Sequence, residues 1–85
     1  MFYVYVFFDS EQKKFYIGFT KNIQRRLSEH RAGKNKTTKR YRNKRLIFVE
    51  VFVSEKDARR REMYFKTTKG RSTLRVMLND ALKEF

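Results

Sequence analysis

The sequence predicts a small α/β domain of the α+β type. Its core is a three-stranded, at least partly antiparallel sheet flanked by helices in the order ββαβαα. Three observations predict it. Segments 2–8, 15–20 and 46–53 are dense in Phe, Tyr, Val and Ile and read as strands. Segments of about 22–32, 54–68 and 72–85 carry apolar residues at helical spacing behind capping residues. A length of 85 residues, without proline, internal repeat or long linker, leaves room for one domain.

The first two strands read as a hairpin. In FYVYVFFD, Phe2, Val4, Val6 and Phe8 share one face, while Tyr3, Tyr5, Phe7 and Asp9 share the other. The polar stretch Asp9-Ser-Glu-Gln-Lys-Lys is a turn, after which Phe15, Ile17 and Phe19 alternate with Tyr16, Gly18 and Thr20. Both faces are apolar or aromatic, so helices must cover at least one. Asn22 is the expected N-cap of a helix that Gly33 ends, with Ile23, Arg26, Leu27 and His30 as its stripe. From Arg31 to Arg45, eight of fifteen residues are Lys or Arg and none is acidic, which reads as a charge-rich loop. Leu46 to Val53 is the third strand. Ser54 to Asp57 has the capping-box pattern, with Asp in place of the usual Glu or Gln, and opens a helix to about Thr68, before Gly70. Ser72 is the expected cap of a last helix, whose stripe is Leu74, Met77, Leu78, Ala81, Leu82 and Phe85.

Composition excludes several functions. There is no cysteine, so a disulfide scaffold, a cysteine-ligated zinc and thiol catalysis are out, and a single histidine excludes a His-rich metal cage. The longest apolar run, Phe2 to Phe8, is far short of the ~20 residues of a membrane span and has no signal-peptide flanks. The expected compartment is cytoplasmic. A chain this short buries only about 60% of its unfolded surface, but nine Phe and five Tyr supply large buried area and argue against disorder. With 22 Lys+Arg against 9 Asp+Glu, the net charge of +13 calls for a polyanionic partner, nucleic acid before anionic membrane. A membrane-surface role needs a basic amphipathic helix; the last helix offers only Arg71, Arg75 and Lys83 as charge.

Charges on inward stripes are the more specific signal, because an unpaired buried charge is costly. Arg26 lies between Ile23 and Leu27, with His30 one turn on; Arg25 points outward and can pair with Glu29. A bland account has Arg26 snorkelling to water and His30 favoured at a helix C-terminus. Glu62 shares a stripe with Ala58, Phe65 and Lys69 amid Arg59, Arg60, Arg61 and Lys66. Its bland account is an i,i+4 pair with Lys66, worth about 0.3–0.5 kcal/mol. Tyr5 and Tyr16 occupy the tyrosine-bearing faces beside Gly18, and a glycine within a strand marks a close approach by another group.

Together these residues resemble the GIY-YIG nuclease domain, and the short stand-alone bacterial members most. Tyr3-Val4-Tyr5 stands at the first motif, and Tyr16-Ile17-Gly18 reproduces the second, eleven residues after Tyr5. Arg26 follows Gly18 by eight positions and His30 by twelve, and SEKDARRRE ends on Glu62, at the place of the metal-binding glutamate. The likeness runs from about Phe2 to Gly70, with the helix at about 72–85 completing one domain over 1–85. Two positions depart from it: Tyr3 replaces the first-motif glycine, and Leu74 stands where many members have a late Asn, with Asn79 off the spacing.

The resemblance implies an antiparallel sheet and divalent-metal-dependent hydrolysis of phosphodiester bonds in DNA, in repair or recombination. A single Mg²⁺ or Mn²⁺ would sit on Glu62, with waters and phosphate oxygens completing its shell. Arg26 would neutralise the scissile phosphate. Tyr5 or Tyr16 would orient or deprotonate water, which requires nearby cations to depress a phenol pKa near ~10. His30 would hydrogen-bond a tyrosine or the phosphate, or relay a proton. Gly18, Lys21, Lys34, Lys36, Lys39, Arg40, Arg42, Lys44 and Arg45 would meet the nucleic acid, and Tyr41 would stack on an unpaired base. No nucleotide cofactor and no membrane partner are expected. The alternative is a non-enzymatic DNA- or RNA-binding protein on the same scaffold.

Overall fold

The computed structural model describes residues 1–31 and 44–85. Strand β1 (Phe2–Asp9) is central in the order β2-β1-β3, with β2 (Lys14–Thr20) and β3 (Lys44–Phe52) both antiparallel to it. The expected faces hold: Val4, Val6 and Phe8 lie opposite Phe19, Ile17 and Phe15, while Tyr3, Tyr5 and Phe7 lie opposite Thr20, Gly18 and Tyr16. A register shift between Val6 and Phe7 adds a residue on β3, so Val6 pairs with Phe48 but Phe7 with Leu46.

The turn is built by Asp9. Its Oδ1 accepts from the backbone N–H of Glu11 and of Gln12, each at 2.9 Å, and Lys13 closes the turn in the left-handed region at φ 58°. At the other end of β2, the Thr20 hydroxyl accepts from the Asn22 N–H at 3.1 Å, and the Asn22 side chain caps helix α1 (Ile23–Arg31) by accepting from Arg25 N–H at 3.0 Å. The start of α1 is thereby tied to the end of β2, which fixes where Arg26 and His30 emerge.

Helix α2 (Glu55–Phe65) begins at Ser54, whose hydroxyl accepts from Asp57 N–H as the capping pattern predicts. It ends earlier than expected. Thr67 caps a new helix α3 (Thr68–Met77) by accepting from Gly70 N–H at 2.9 Å, so Gly70 lies inside a helix and Ser72 is not a cap. Lys69 accordingly leaves the α2 stripe and is exposed on α3. The reason is packing: a β-carbon at Gly70 would overlap the carbonyl of Tyr64 and lie 2.7 Å from Phe65 Cα. Glycine lets the two helices touch backbone to backbone. A single-turn helix α4 (Asn79–Leu82) follows.

The core is Val4, Val6, Phe8, Phe15, Ala58, Phe65 and Leu74, all buried, with Leu78, Leu82 and Phe85 packed against it. Each fully buried Val, Leu or Phe contributes about 1.5–3 kcal/mol of transfer free energy. Leu74 is completely buried, so the position at which the resemblance leads one to expect a late Asn is core here, and Asn79 is exposed. Of the expected last stripe, Met77 is outward, at 42% exposure.

Candidate active site

Helices α2 and α3 cover the Val4–Val6–Phe8 face; α1 meets the opposite, tyrosine-bearing face. The contact from α1 is His30, whose ring stacks on Phe7 with centroids 3.8 Å apart and planes 20° apart. Phe7 in turn meets Tyr5 edge-on at 5.6 Å. Phe7 is not a candidate from sequence, although its place in the alternation puts it between Tyr5 and Asp9 on that face.

Tyr5 stands on the central strand opposite Gly18 of the edge strand. Its ring lies over that glycine: a β-carbon there would overlap the phenol oxygen and Cζ and fall 2.8 Å from Cε1. The close approach signalled by Gly18 is therefore the Tyr5 ring, and it carries the hydroxyl toward the β2 edge.

Glu62 reaches the same place from the other layer because of how α2 is rotated. Arg61 makes a two-pronged ion pair to Glu50 of β3, at 2.8 and 3.4 Å, and lies over the Phe65 ring. Arg59 lies over the Phe19 ring of β2 at 3.7 Å. Successive helical residues point about 100° apart, so an Arg61 anchored to β3 turns Glu62 and Arg59 toward β2. Glu62 is only 13% exposed and accepts from Lys66 Nζ at 3.0 Å, with Arg59 at 3.5 Å. The expected i,i+4 pair is thus present, with a second cation beside it.

Tyr5 feels this convergence electrostatically. Its pKa is raised, chiefly by burial; the Arg26 cation opposes the rise, and the carboxylates of Glu62 and Glu29 add to it. In the protein alone desolvation outweighs the arginine, so the depression that a tyrosine base would require is not supplied by Arg26. Glu29 also holds Arg26, at 3.6 Å from Nη1, and lies 4.0 Å from Arg25 Nε. The sequence suggests it as a partner of Arg25 alone; its i+3 spacing from Arg26 is the signal that could have shown the second pair. Nε of Arg26 is buried and has no hydrogen-bond partner among the described residues, a donor left over inside the site.

A second group lies further along the sheet. Tyr16 pairs with Phe7 across the strands, and Lys44 Nζ sits 5.8 Å from the Tyr16 ring centre. Burial, assisted by the Lys44 cation, lowers the His30 pKa from 6.5, which favours the neutral ring. Burial also lowers that of Lys44, against the pull of Asp9, its register partner. The contact that holds the histidine ring on this face is its stack on Phe7.

The structure thus brings together Tyr5, Gly18, Arg26 and Glu62 as one cluster, and Tyr16, His30 and Lys44 as another. Lys21 is exposed, 3.8 Å from Glu55, and Arg45 is exposed over the Phe85 ring. Lys34, Lys36, Lys39, Arg40, Tyr41 and Arg42 lie outside the described residues. Among the described residues no three His, Cys, Asp or Glu side chains gather into a metal-holding group, and no helix is long and apolar enough to cross a membrane. The lone, largely buried Glu62 fits a cation that keeps most of its waters and completes its shell with phosphate oxygens.

The antiparallel sheet carries Tyr5 and Tyr16, helix α1 carries Arg26 and helix α2 carries Glu62, the order of residues on which the resemblance to a nuclease domain rests. The family model for the GIY-YIG catalytic domain matches residues 1–75, and the chain belongs to that family. It is similar to short UPF0213 proteins. It is 36% identical over 76 residues to one from Staphylococcus haemolyticus, covering 88% of this chain and 92% of that one. It is 39% identical over 71 residues to one from Streptococcus pyogenes, covering 82% and 76%. Among solved structures it resembles the solution NMR structure of a UPF0213 protein from Bacillus halodurans. That match has a TM-score of 0.56 at 28% identity and covers 91% of this chain and 85% of that one. The family acts on nucleic acids and its nucleases are generally dependent on divalent metals.

Proposed function

We propose that residues 1–85 act as one nuclease domain, a divalent-metal-dependent endonuclease that hydrolyses phosphodiester bonds in DNA in a structure-directed way, in repair or recombination. One observation carries this reading: a half-buried phenol, Tyr5, lies within the fields of Arg26 from one layer and Glu62 from the other. Surface packing does not call for an arginine, a carboxylate and a phenol at one strand edge; charge neutralisation at a phosphate does.

Glu62 would hold a single Mg²⁺ or Mn²⁺, which would supply Lewis-acid stabilisation of charge on the phosphate. Arg26 would donate to a non-bridging oxygen, with Glu29 fixing its guanidinium. Tyr5, protonated at neutral pH, would orient the attacking water by a hydrogen bond rather than deprotonate it. Neutral His30, beside Tyr16, would take up the proton that the water gives up as its oxygen bonds to phosphorus, and the oxygen of the broken P–O bond would be protonated from solvent. The basic residues from Arg31 to Arg45 would hold the flanking backbone.

The test compares wild type with Glu62→Ala and Arg26→Ala on duplex, flap, junction and single-stranded substrates with Mg²⁺ or Mn²⁺. Each variant should lose cleavage by about 10²–10³-fold or more while retaining binding. Wild type that binds but cleaves nothing in the panel would replace this reading with that of a nucleic-acid-binding protein on a nuclease scaffold.

A further inference from the structure

The nine carboxylate residues all lie within the described part of the chain, and they are unevenly shared. Lys21, Arg25, Arg26, Arg59, Arg60, Arg61, Lys66 and Lys83 each lie within salt-bridge distance of one. Four cations without one gather at a different place, the tip of the β1–β2 hairpin. There Lys13, Lys14, Arg71 and Arg75 line a cleft of about 320 Å³ together with Phe15, and no acidic side chain contributes to it. Among the described residues none of these four pairs with a carboxylate.

The cleft is held in shape by the fold. Lys13 is set by its left-handed turn geometry, which the Asp9 side chain maintains. Arg75 lies over the Phe15 ring at 5.1 Å. Arg71 is carried on the first turn of α3, whose close packing on α2 depends on Gly70. Four positive charges lining one cleft with no acidic side chain in its lining repel one another, and a polyanion relieves that repulsion.

We propose that this cleft is a second phosphate-backbone site, which takes the sugar–phosphate chain of a nucleic acid away from the reacting bond. The ligand class follows from the lining: several cations around one aromatic edge suit successive phosphates, with no donor–acceptor pattern to read bases. The position also fits. Lys14 lies four residues from Gly18 along β2, or about 13 Å at the usual strand rise, close to the ~12 Å width of a duplex major groove. The hairpin tip and the Tyr5 cluster are thus reached along the same edge strand. The inference rests on the nuclease reading for its ligand, but not for its geometry.

The test measures binding of a short DNA duplex against salt for three proteins: wild type, the double variant K14Q/R71Q, and the control K56Q/K69Q, which removes two exposed lysines elsewhere. Arg75 is left intact because it packs on Phe15, and circular dichroism checks the fold of each. Each phosphate that the protein no longer neutralises should flatten the log–log salt slope by about 0.9. K14Q/R71Q is expected to flatten it by about 1.8, with weaker binding, and K56Q/K69Q to leave it unchanged. Equal flattening in both variants, or none in K14Q/R71Q while wild type binds and cleaves, overturns the cleft and leaves the nuclease reading standing. Wild type that does not bind DNA overturns both. Backbone amide shifts at Lys14 and Arg71 should move on adding duplex; movement with inorganic pyrophosphate alone would assign the cleft to a small anion instead.

Discussion

Substituting Gly18 by alanine tests how the two layers of the site are joined. The added methyl would occupy the space of the Tyr5 phenol oxygen and Cζ and sit 2.8 Å from Cε1, so the ring must swing off Gly18. A ring forced about 30° off its rotamer costs about 0.5–1.5 kcal/mol, and overpacking generally costs about 1–3 kcal/mol. The obstructing atoms are the far end of a side chain, not backbone, which argues for the middle of that range. We expect Gly18→Ala to lose about 2 kcal/mol, or about 8–16 °C in Tm for a domain of this size. The hydroxyl would leave the Arg26–Glu62 field, and a displacement of about 1 Å is enough to cost roughly 10²-fold in rate. Thermal unfolding and a cleavage assay are run on wild type, Gly18→Ala, Tyr5→Leu and the double variant. Removing the ring should relieve the clash, so the cycle should show coupling of about 1 kcal/mol or more. Additive stability losses, or a Gly18→Ala protein with wild-type Tm and activity, would refute the placement of Tyr5 over Gly18.

Gly70→Ala should be more damaging, by about 3 kcal/mol or more in urea denaturation, because the added methyl meets the Tyr64 carbonyl and Phe65 Cα, which no rotamer change relieves; a loss smaller than that of Gly18→Ala would contradict the backbone contact of α2 with α3. The folded pKa of His30 lies below its ordinary 6.5, so the unfolded chain binds the proton first and stability falls as pH drops through 6.5 toward the folded value. His30→Gln should therefore shrink the difference in denaturation midpoint between about pH 7.5 and pH 5.5; an unchanged difference would show that the stack on Phe7 does not hold the ring neutral. Lys66→Gln frees the Glu62 carboxylate from a cation 3.0 Å away. For an i,i+4 pair with an exposed lysine, worth about 0.3–0.5 kcal/mol, the Mn²⁺ concentration for half-maximal cleavage should fall roughly twofold, and a rise would mean that Lys66 helps to hold the substrate.

The strands were legible because alternation has a period of two and one face must be buried, so Val4, Val6 and Phe8 could hardly be assigned otherwise. Asn22, Ser54 and Asp9 were legible because caps and turns are local chemistry, settled within three or four residues. The α2–α3 boundary was not. Gly70 resembles a helix terminator in sequence, but its role comes from Tyr64 and Phe65 of the preceding helix, whose carbonyl and Cα occupy the space a side chain would need. Glu29 and Phe7 escaped notice for a similar reason. Each is an ordinary helix or strand residue until Arg26 or His30 is placed against it.

By itself the sequence determined the sheet, the caps, the excess of positive charge and the positions that match the family's motifs. All of these follow from spacing along one strand or helix, or from composition. The tertiary structure decided how those residues act on one another. Ala58 and Phe65 buried in the core, with Arg61 paired to Glu50, set the rotation that turns Glu62 toward β2, and a bare Gly18 lets the Tyr5 ring lie across to the same edge. Burial then raises the phenol's pKa, against the lowering that a tyrosine base would require. Desolvation depends on what covers a group from distant parts of the chain, and that is a property of packing rather than of order along the sequence.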